Sequence, residues 1–289
     1  MALPPVALCW MPALLGVDQG GKRQLAGFVD VTSAATVPDP RGNVIDVMDV
    51  PVGPGGTSPQ WALEAQPTLR GEPFATYARA AQRWLPARPE MVAPDGLHYA
   101  YKAPDGPIHL VDAATGADQA IANPNDLNAI GYTSAGVWLV QGAGSGLLLL
   151  DRLTGAIGQI LAPDPKQSWQ WLRGGAIWGF DSSGLPGSAP ATTLLHFDLT
   201  TRVAMTWYAQ SGGTVMLAAV DATGTAAVVT SQGSTTAAVA VPGPGAATAL
   251  ALPVGTSASS LALGARQETD THGGWIIDSA GVYLFTGSG

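Results

Sequence analysis

Eight residues near the C-terminal end, Gln267-Glu268-Thr269-Asp270-Thr271-His272-Gly273-Gly274, gather two carboxylates, an imidazole and two glycines. A carboxylate–imidazole group can pass a proton as an acid/base pair, or hold a weakly bound channel cation such as calcium. The plainer reading is a polar surface loop that leads into an inner strand, Trp275 to Asp278. Asn125 and Asp126, in Asn123-Pro124-Asn125-Asp126, offer oxygen ligands or, more simply, turn chemistry. Trp169 and Trp171, after Asp164-Pro165-Lys166, offer a platform for a sugar ring or packing between sheets. Glu268, Asp270, His272, Asn125, Asp126, Trp169 and Trp171 are therefore the candidate ligand-binding residues. None is given a catalytic role, and no metal ligand is assigned.

A further temptation is a repeated aspartate. Leu110-Val111-Asp112-Ala113-Ala114-Thr115-Gly116 matches Leu149-Leu150-Asp151-Arg152-Leu153-Thr154-Gly155, and more loosely His196-Phe197-Asp198-Leu199-Thr200-Thr201-Arg202. Three carboxylates suggest an acidic ring, but an Asp that opens a tight turn accepts hydrogen bonds from amides just ahead of it, and Gly supplies the positive φ. The turn reading is the stronger. His98, His109 and His196 fall within strands, where a partly exposed histidine is ordinary. No Gly-x-Ser-x-Gly elbow, phosphate loop or HExxH helix is present. Gly142-Ala143-Gly144-Ser145-Gly146 follows a strand but leads into another, so it is a hairpin loop and not a dinucleotide fingerprint.

The elements that must position these groups are strands. Met91 to Ala122 alternates apolar and polar residues with a period of two, broken by turns at Pro94-Asp95-Gly96, Pro104-Asp105-Gly106-Pro107 and Asp112 to Gly116. Each aspartate turn follows a Gly-led strand, and two more such strands follow Asp221 and Asp278. A repeat of roughly 40 to 50 residues built from four short strands is the signature of a β-propeller blade. The expected fold is all-β: a single β-propeller of about six four-stranded blades, or seven if residues 25–50 form their own. Residues 1–24 read as an N-terminal arm and 25–289 as the propeller domain. Phe74 to Trp84 fits an amphipathic helix or a hairpin turning at Ala78 to Gln82. The flanking Pro73 and Pro86 favour the hairpin.

Composition agrees. Charged residues are 12% of the chain while Gly (37) and Pro (23) exceed a fifth of it, which suits tight turns rather than helices. The net charge of −8 and the absence of a basic run exclude nucleic acid as the expected partner. A single cysteine, Cys9, allows no internal disulfide. The apolar opening, Met1 to Gly16, has no basic flank and is too short to span a bilayer, so no transmembrane segment is expected. It reads as the start of a truncated chain, and Val6-Ala7-Leu8-Cys9 fits a lipid-acceptor site only loosely.

Val92-Ala93-Pro94-Asp95-Gly96-Leu97-His98-Tyr99-Ala100-Tyr101, followed by Ile108 to Gly116, resembles the repeat of bacterial WD40-like/TolB-like propellers. Cys9-Trp10-Met11-Pro12, Gly27-Phe28-Val29, Pro38-Asp39-Pro40 and Tyr77 with Arg83-Trp84-Leu85-Pro86 are similar to a group of uncharacterised, exported bacterial propeller proteins. That likeness spans most of residues 9–160 and implies an extracytoplasmic setting, secreted or at the cell surface, without bringing any catalytic residue. Asn125 and Asp126 are similar to the calcium sites of propeller lactonases. The expected function is a non-enzymatic binding module that recognises a protein or glycan through one face of the ring. The alternatives are a metal-assisted hydrolase or lyase at the channel mouth, and a self-associating structural subunit built on the Ala/Thr-rich strands Ala226 to Val241 and Ala246 to Val254.

Overall fold

The computed structural model describes residues 10–18, 20–30, 33, 35–51, 57–123, 125–142, 145–181, 191–252, 257–258, 266–270, 273–278 and 281–285. For 48–51, 57–59 and 266–285 only the course of the backbone is described. Cys9 and His272 lie outside the described residues. By contacts the chain divides into two units, residues 1–139 with 149–158, and residues 140–148 with 159–289.

The first sheet has six strands: β1 (Trp10–Val17), β2 (Arg23–Asp30), β3 (Thr36–Pro38), β4 (Val44–Pro51), β5 (Thr57–Leu63) and β6 (Gln66–Gly71). Their order is β1-β2-β4-β5-β6, with β3 paired to β2. A separate hairpin follows, β7 (Thr76–Ala78) and β8 (Arg83–Leu85), with Tyr77 opposite Trp84. The hairpin expected over 74–85 is the one observed.

Five blade sheets of three or four antiparallel strands then follow in a β-propeller arrangement. They are β9 (His98–Lys102), β10 (Ile108–Asp112) and β11 (Asp118–Ile121); β12 (Asn128–Thr133), β13 (Gly136–Val140), β14 (Leu147–Leu150) and β15 (Ile157–Leu161); β16 (Gln167–Arg173), β17 (Ala176–Asp181), β18 (Thr193–Asp198) and β19 (Ala204–Ala209); β20 (Thr214–Val220), β21 (Ala226–Gln232), β22 (Thr235–Gly243) and β23 (Ala246–Ala249); and β24 (Arg266–Asp270), β25 (Gly273–Asp278) and β26 (Gly281–Phe285). The only helical pieces among the described residues with named bounds are two 3-10 turns, Pro40–Gly42 and Pro89–Met91.

Five blades replace the six or seven expected. Residues 25–71 alternate as blade strands do, but short connections chain them into one continuous sheet. The Asp18-to-Lys22 loop joins β1 to β2, and a two-residue turn at Glu64 and Ala65 joins β5 to β6. Arg23 on β2 also reaches across to Glu64, at 2.7 Å, in an exposed ion pair that adds little to the sheet's stability. The first blade sheet is short for a physical reason too. Its opening strand is reduced to one bridge, Val92 to Tyr99, because the Pro89–Met91 turn occupies the chain just before it.

Three of the Gly-led strands picked out by the repeat, β13, β17 and β21, are second strands of their sheets. β13 and nearly all of β17 are buried on both faces, which is why they read as continuous apolar runs. Every residue of β13 is buried. In the second unit Trp178 is fully buried among Phe180, Leu194, Val215 and Val228. Truncating an indole in such a place costs about 3–5 kcal/mol.

Candidate functional site

The repeated aspartates are turn residues in three dimensions as well. Asp112 Oδ1 accepts from the amides of Ala114 (2.8 Å) and Thr115 (3.1 Å), and Asp151 Oδ1 from Leu153 and Thr154 (both 2.9 Å). Asp198 repeats the pattern with Thr200 (2.8 Å) and Thr201 (2.7 Å). The Thr115 amide, chief among these donors for Asp112, holds that carboxyl below the usual range, as the Thr201 amide does for Asp198. The residue closing each turn has positive φ: Gly116 (76°), Gly155 (71°) and, where the third copy departs from the pattern, Arg202 (59°).

In an antiparallel sheet successive turns alternate between the two ends of the strands. The turn before β9 and the β10–β11 turn therefore share one end of their sheet, and the β9–β10 turn lies at the other. At the first end Asp95 accepts from the amides of Leu97 (2.9 Å) and His98 (3.2 Å) through Oδ1, while Oδ2 meets His98 Nδ1 at 2.8 Å. Desolvation opposes ionisation of Asp95, but the Leu97 amide and the His98 ring outweigh it and hold the carboxyl low. His98 and Asp112 face each other across β9 and β10.

Arg152, just past Asp151, enters this group from the β14–β15 turn. Its Nη1 lies 3.5 Å from Asp95 Oδ2 and 3.3 Å from His98 Nδ1. Burial pushes the Tyr132 phenol on β12 up, against the opposing field of Arg152. His98, Tyr132 and Arg152 line a cleft of about 230 Å³ with Leu110, Asp112, Asp118, Gln119 and Leu153. Leu153 is 83% exposed at its rim, conspicuous for so large an apolar side chain. Asp118 is tied to His109 Nδ1 at 2.8 Å. The charged groups on the lining are Asp112 and Asp118 against Arg152, with Asp95 behind His98 and Arg152, so the cleft is mildly acidic. Asp112 accepts the turn amides through Oδ1, and the Thr115 side chain adds a further hydrogen bond to the carboxylate.

The residues singled out from sequence lie elsewhere and are not brought together. Asn125 and Asp126 are exposed at the opposite end of the first blade sheet. There Asp126, at φ 50°, pairs with Lys102 Nζ at 2.5 Å. Its neighbour Asn123 is a loop staple, donating to Gly106 O (3.1 Å) and accepting from the Leu127 amide (2.8 Å). Trp169 is 1% exposed and sits edge-on to Phe197, so its ring packs the interior instead of offering a platform. Trp171 is half-buried, edge-on to Phe180 with 5.5 Å between ring centroids. Glu268 and Asp270 belong to strand β24, opposite Trp275 and Gly273, where a loop was expected. No group of three His, Cys, Asp or Glu side chains that could hold a metal ion occurs among the described residues. Of the strands proposed for self-association, Ala226–Thr230 is buried in β21, while β23, Ala246–Ala249, is an exposed edge.

Sequence reading missed the cleft because Asp95, Asp112 and Arg152 each look like turn residues. The available signal was modest: an imidazole three residues after a turn aspartate, and one repeat copy with Arg152-Leu153 where another has Ala113-Ala114.

No family model and no curated protein matches the chain. Solved structures match at low identity. TolB from Acinetobacter baumannii is 13% identical, with a TM-score of 0.40 over 75% of this chain and 62% of that one. The extracellular domain of a one-component system from Bacteroides thetaiotaomicron is 12% identical, with a TM-score of 0.46 over 95% of this chain and 39% of that one. A prolyl endopeptidase is 11% identical, with a TM-score of 0.47 over 94% and 46%. The chain spans less than two thirds of the length of each. The likeness is to TolB-like and other β-propeller proteins, and no residue role is carried over from them.

Proposed function

We propose that the protein is an extracytoplasmic binding module whose acidic cleft receives a basic side chain of a protein partner. The observation that carries this is the lining itself. Leu110 and Leu153 give aliphatic walls and Asp112 a carboxylate, the complement of a lysine or arginine stem and head. Size argues the same way. About 230 Å³ is below the roughly 300–1,000 Å³ of pockets that enclose whole small molecules, and suits one side chain. A sugar would want an exposed aromatic face, and the aromatic ring here, Tyr132, is 4% exposed. A protein partner is therefore preferred to a glycan.

Catalysis is the second reading, and one observation favours it: Asp95 and His98 form a carboxylate–imidazole pair at 2.8 Å. The cleft lining offers no serine, threonine or cysteine beside it, so binding remains the better account. The extracytoplasmic setting rests on the resemblance of residues 9–160 to exported propeller proteins. Among the described residues no helix is long and apolar enough to cross a membrane.

A positional-scanning peptide array probed with the full chain tests the proposal. Selection of lysine or arginine beside an aliphatic residue supports it. Selection of acidic residues, or an identical profile from Asp112→Asn, contradicts it.

A further inference from the structure

A second cleft lies where the β5–β6 turn meets the β7–β8 turn. It has a volume of about 280 Å³ and is lined by Arg41, Gln66, Gln82, Arg83 and Trp84, with Leu63, Ala65 and Ala81 between them. We propose that this cleft is an anion site that takes a small oxyanion, a carboxylate or a phosphate, between Arg83 and Arg41. It stands apart from the basic-side-chain reading and does not depend on it.

No carboxylate lines the cleft, on a chain whose net charge is −8. The nearest acid in the β5–β6 turn, Glu64, is committed to Arg23 Nη2 (2.7 Å) and Asn43 Nδ2 (3.0 Å). Arg83 has no acidic partner among the described residues. Its Nη1 donates to Ala113 O, and its Nε is buried with no acceptor. The Arg83 charge is therefore not neutralised by a carboxylate, which leaves it to attract an anion in the cleft.

Arg41 is fixed differently. Asp39, 2% exposed, holds it through Nε to Oδ1 and Nη2 to Oδ2, both 2.9 Å, and Trp84 Nε1 holds Asp39 in turn at 2.8 Å. That brace neutralises Arg41 but leaves Nη1 uncommitted among the described residues and stops the side chain from wandering. Two guanidiniums whose positions are set before binding suit the planar or tetrahedral oxygens of an oxyanion. Gln66 and Gln82 add neutral amide donors. Gln82 is held at φ 49°, a left-handed conformation that a non-glycine residue adopts at a cost, as residues in ligand clamps often do.

The test is calorimetric titration of the full chain with sodium phosphate and with sodium succinate, at constant ionic strength set by chloride. Saturable binding of either anion is expected; the tighter one identifies a phosphate or a carboxylate source. Gln66→Glu changes an exposed side chain and places a negative charge at the mouth, so the fold is kept and affinity falls by about tenfold. Arg83→Gln should abolish binding in a protein that still melts cooperatively. If Arg83→Gln fails to fold, Gln66→Glu decides alone. Titrations in which neither anion saturates, or in which Gln66→Glu binds as the wild type does, overturn the proposal.

Discussion

The Arg152 guanidinium lies 3.5 Å from the Asp95 carboxylate, joining the β14–β15 turn to the turn that leads into β9. Both side chains are about one third exposed, at 34% and 38%, so solvent screens the pair and its worth to stability is under about 1 kcal/mol. Its larger effect is on the charge of the cleft. Arg152→Ala should leave the denaturation midpoint almost unchanged and make the site more acidic, tightening a lysine-rich peptide by about two- to fivefold at low salt. Thermal unfolding and peptide titration of the same variant check both halves.

Leu153 separates binding from folding. Because its side chain is 83% exposed, Leu153→Ala should shift stability by no more than about 0.5 kcal/mol. If the side chain is a wall of the binding site, the same change weakens the selected peptide by about fivefold or more. A variant that loses stability and keeps affinity would remove Leu153 from the site.

The third aspartate turn carries a built-in strain. Arg202 closes it at φ 59°, where the first two copies have glycine. A left-handed side chain costs about 1–2 kcal/mol, partly offset by the greater unfolded freedom of glycine. Arg202→Gly is therefore expected to raise stability by about 0.5–1 kcal/mol, and Gly155→Ala to lower it by about 1 kcal/mol. Urea denaturation of the two variants gives both signs.

These turns also show why some of the molecule was legible. Asp112, Thr115 and Gly116 form a local hydrogen-bond pattern whose partners are three or four residues apart, so residue type and spacing are enough to read it. The hairpin at Tyr77 and Trp84 was readable for a similar reason, because Pro73 and Pro86 bracket it. Strand alternation in 25–71 was equally plain, yet a period of two does not say which sheet a strand joins. Pairing of β2 with β1, β3 and β4 is made by main-chain ladders that no local pattern specifies, and so the expected blade count is too high. The cleft was least legible of all: Asp95, His98 and Arg152 meet only when successive sheets are in place.

Asp39 supplies the pH prediction. Burial opposes its ionisation, but bonds from Arg41 and Trp84 prevail and put the folded-state value below the model-peptide 3.8. The unfolded chain then takes up its proton first as pH falls. The stabilisation is present above 3.8 and is lost as pH drops through the lower folded value. Asp39→Asn should cost about 1.5–3 kcal/mol near neutrality, where a buried charge-assisted network is broken. It should also lose less further stability than the wild type between about pH 4 and about pH 2. Denaturant unfolding across that range measures the difference, and parallel curves would assign the acid sensitivity elsewhere.

The central claim is that Asp112 and its neighbours receive a basic side chain. The most direct measurement is fluorescence anisotropy of a labelled hexalysine peptide with wild type and Asp112→Asn. Asparagine keeps an oxygen for the Ala114 and Thr115 amides, so the turn survives and only the charge is removed. The wild type should bind with an affinity that falls as salt rises, and Asp112→Asn should be weaker by about three- to tenfold. Equal affinity of the two proteins, or equal binding of a hexaglutamate peptide, would contradict it.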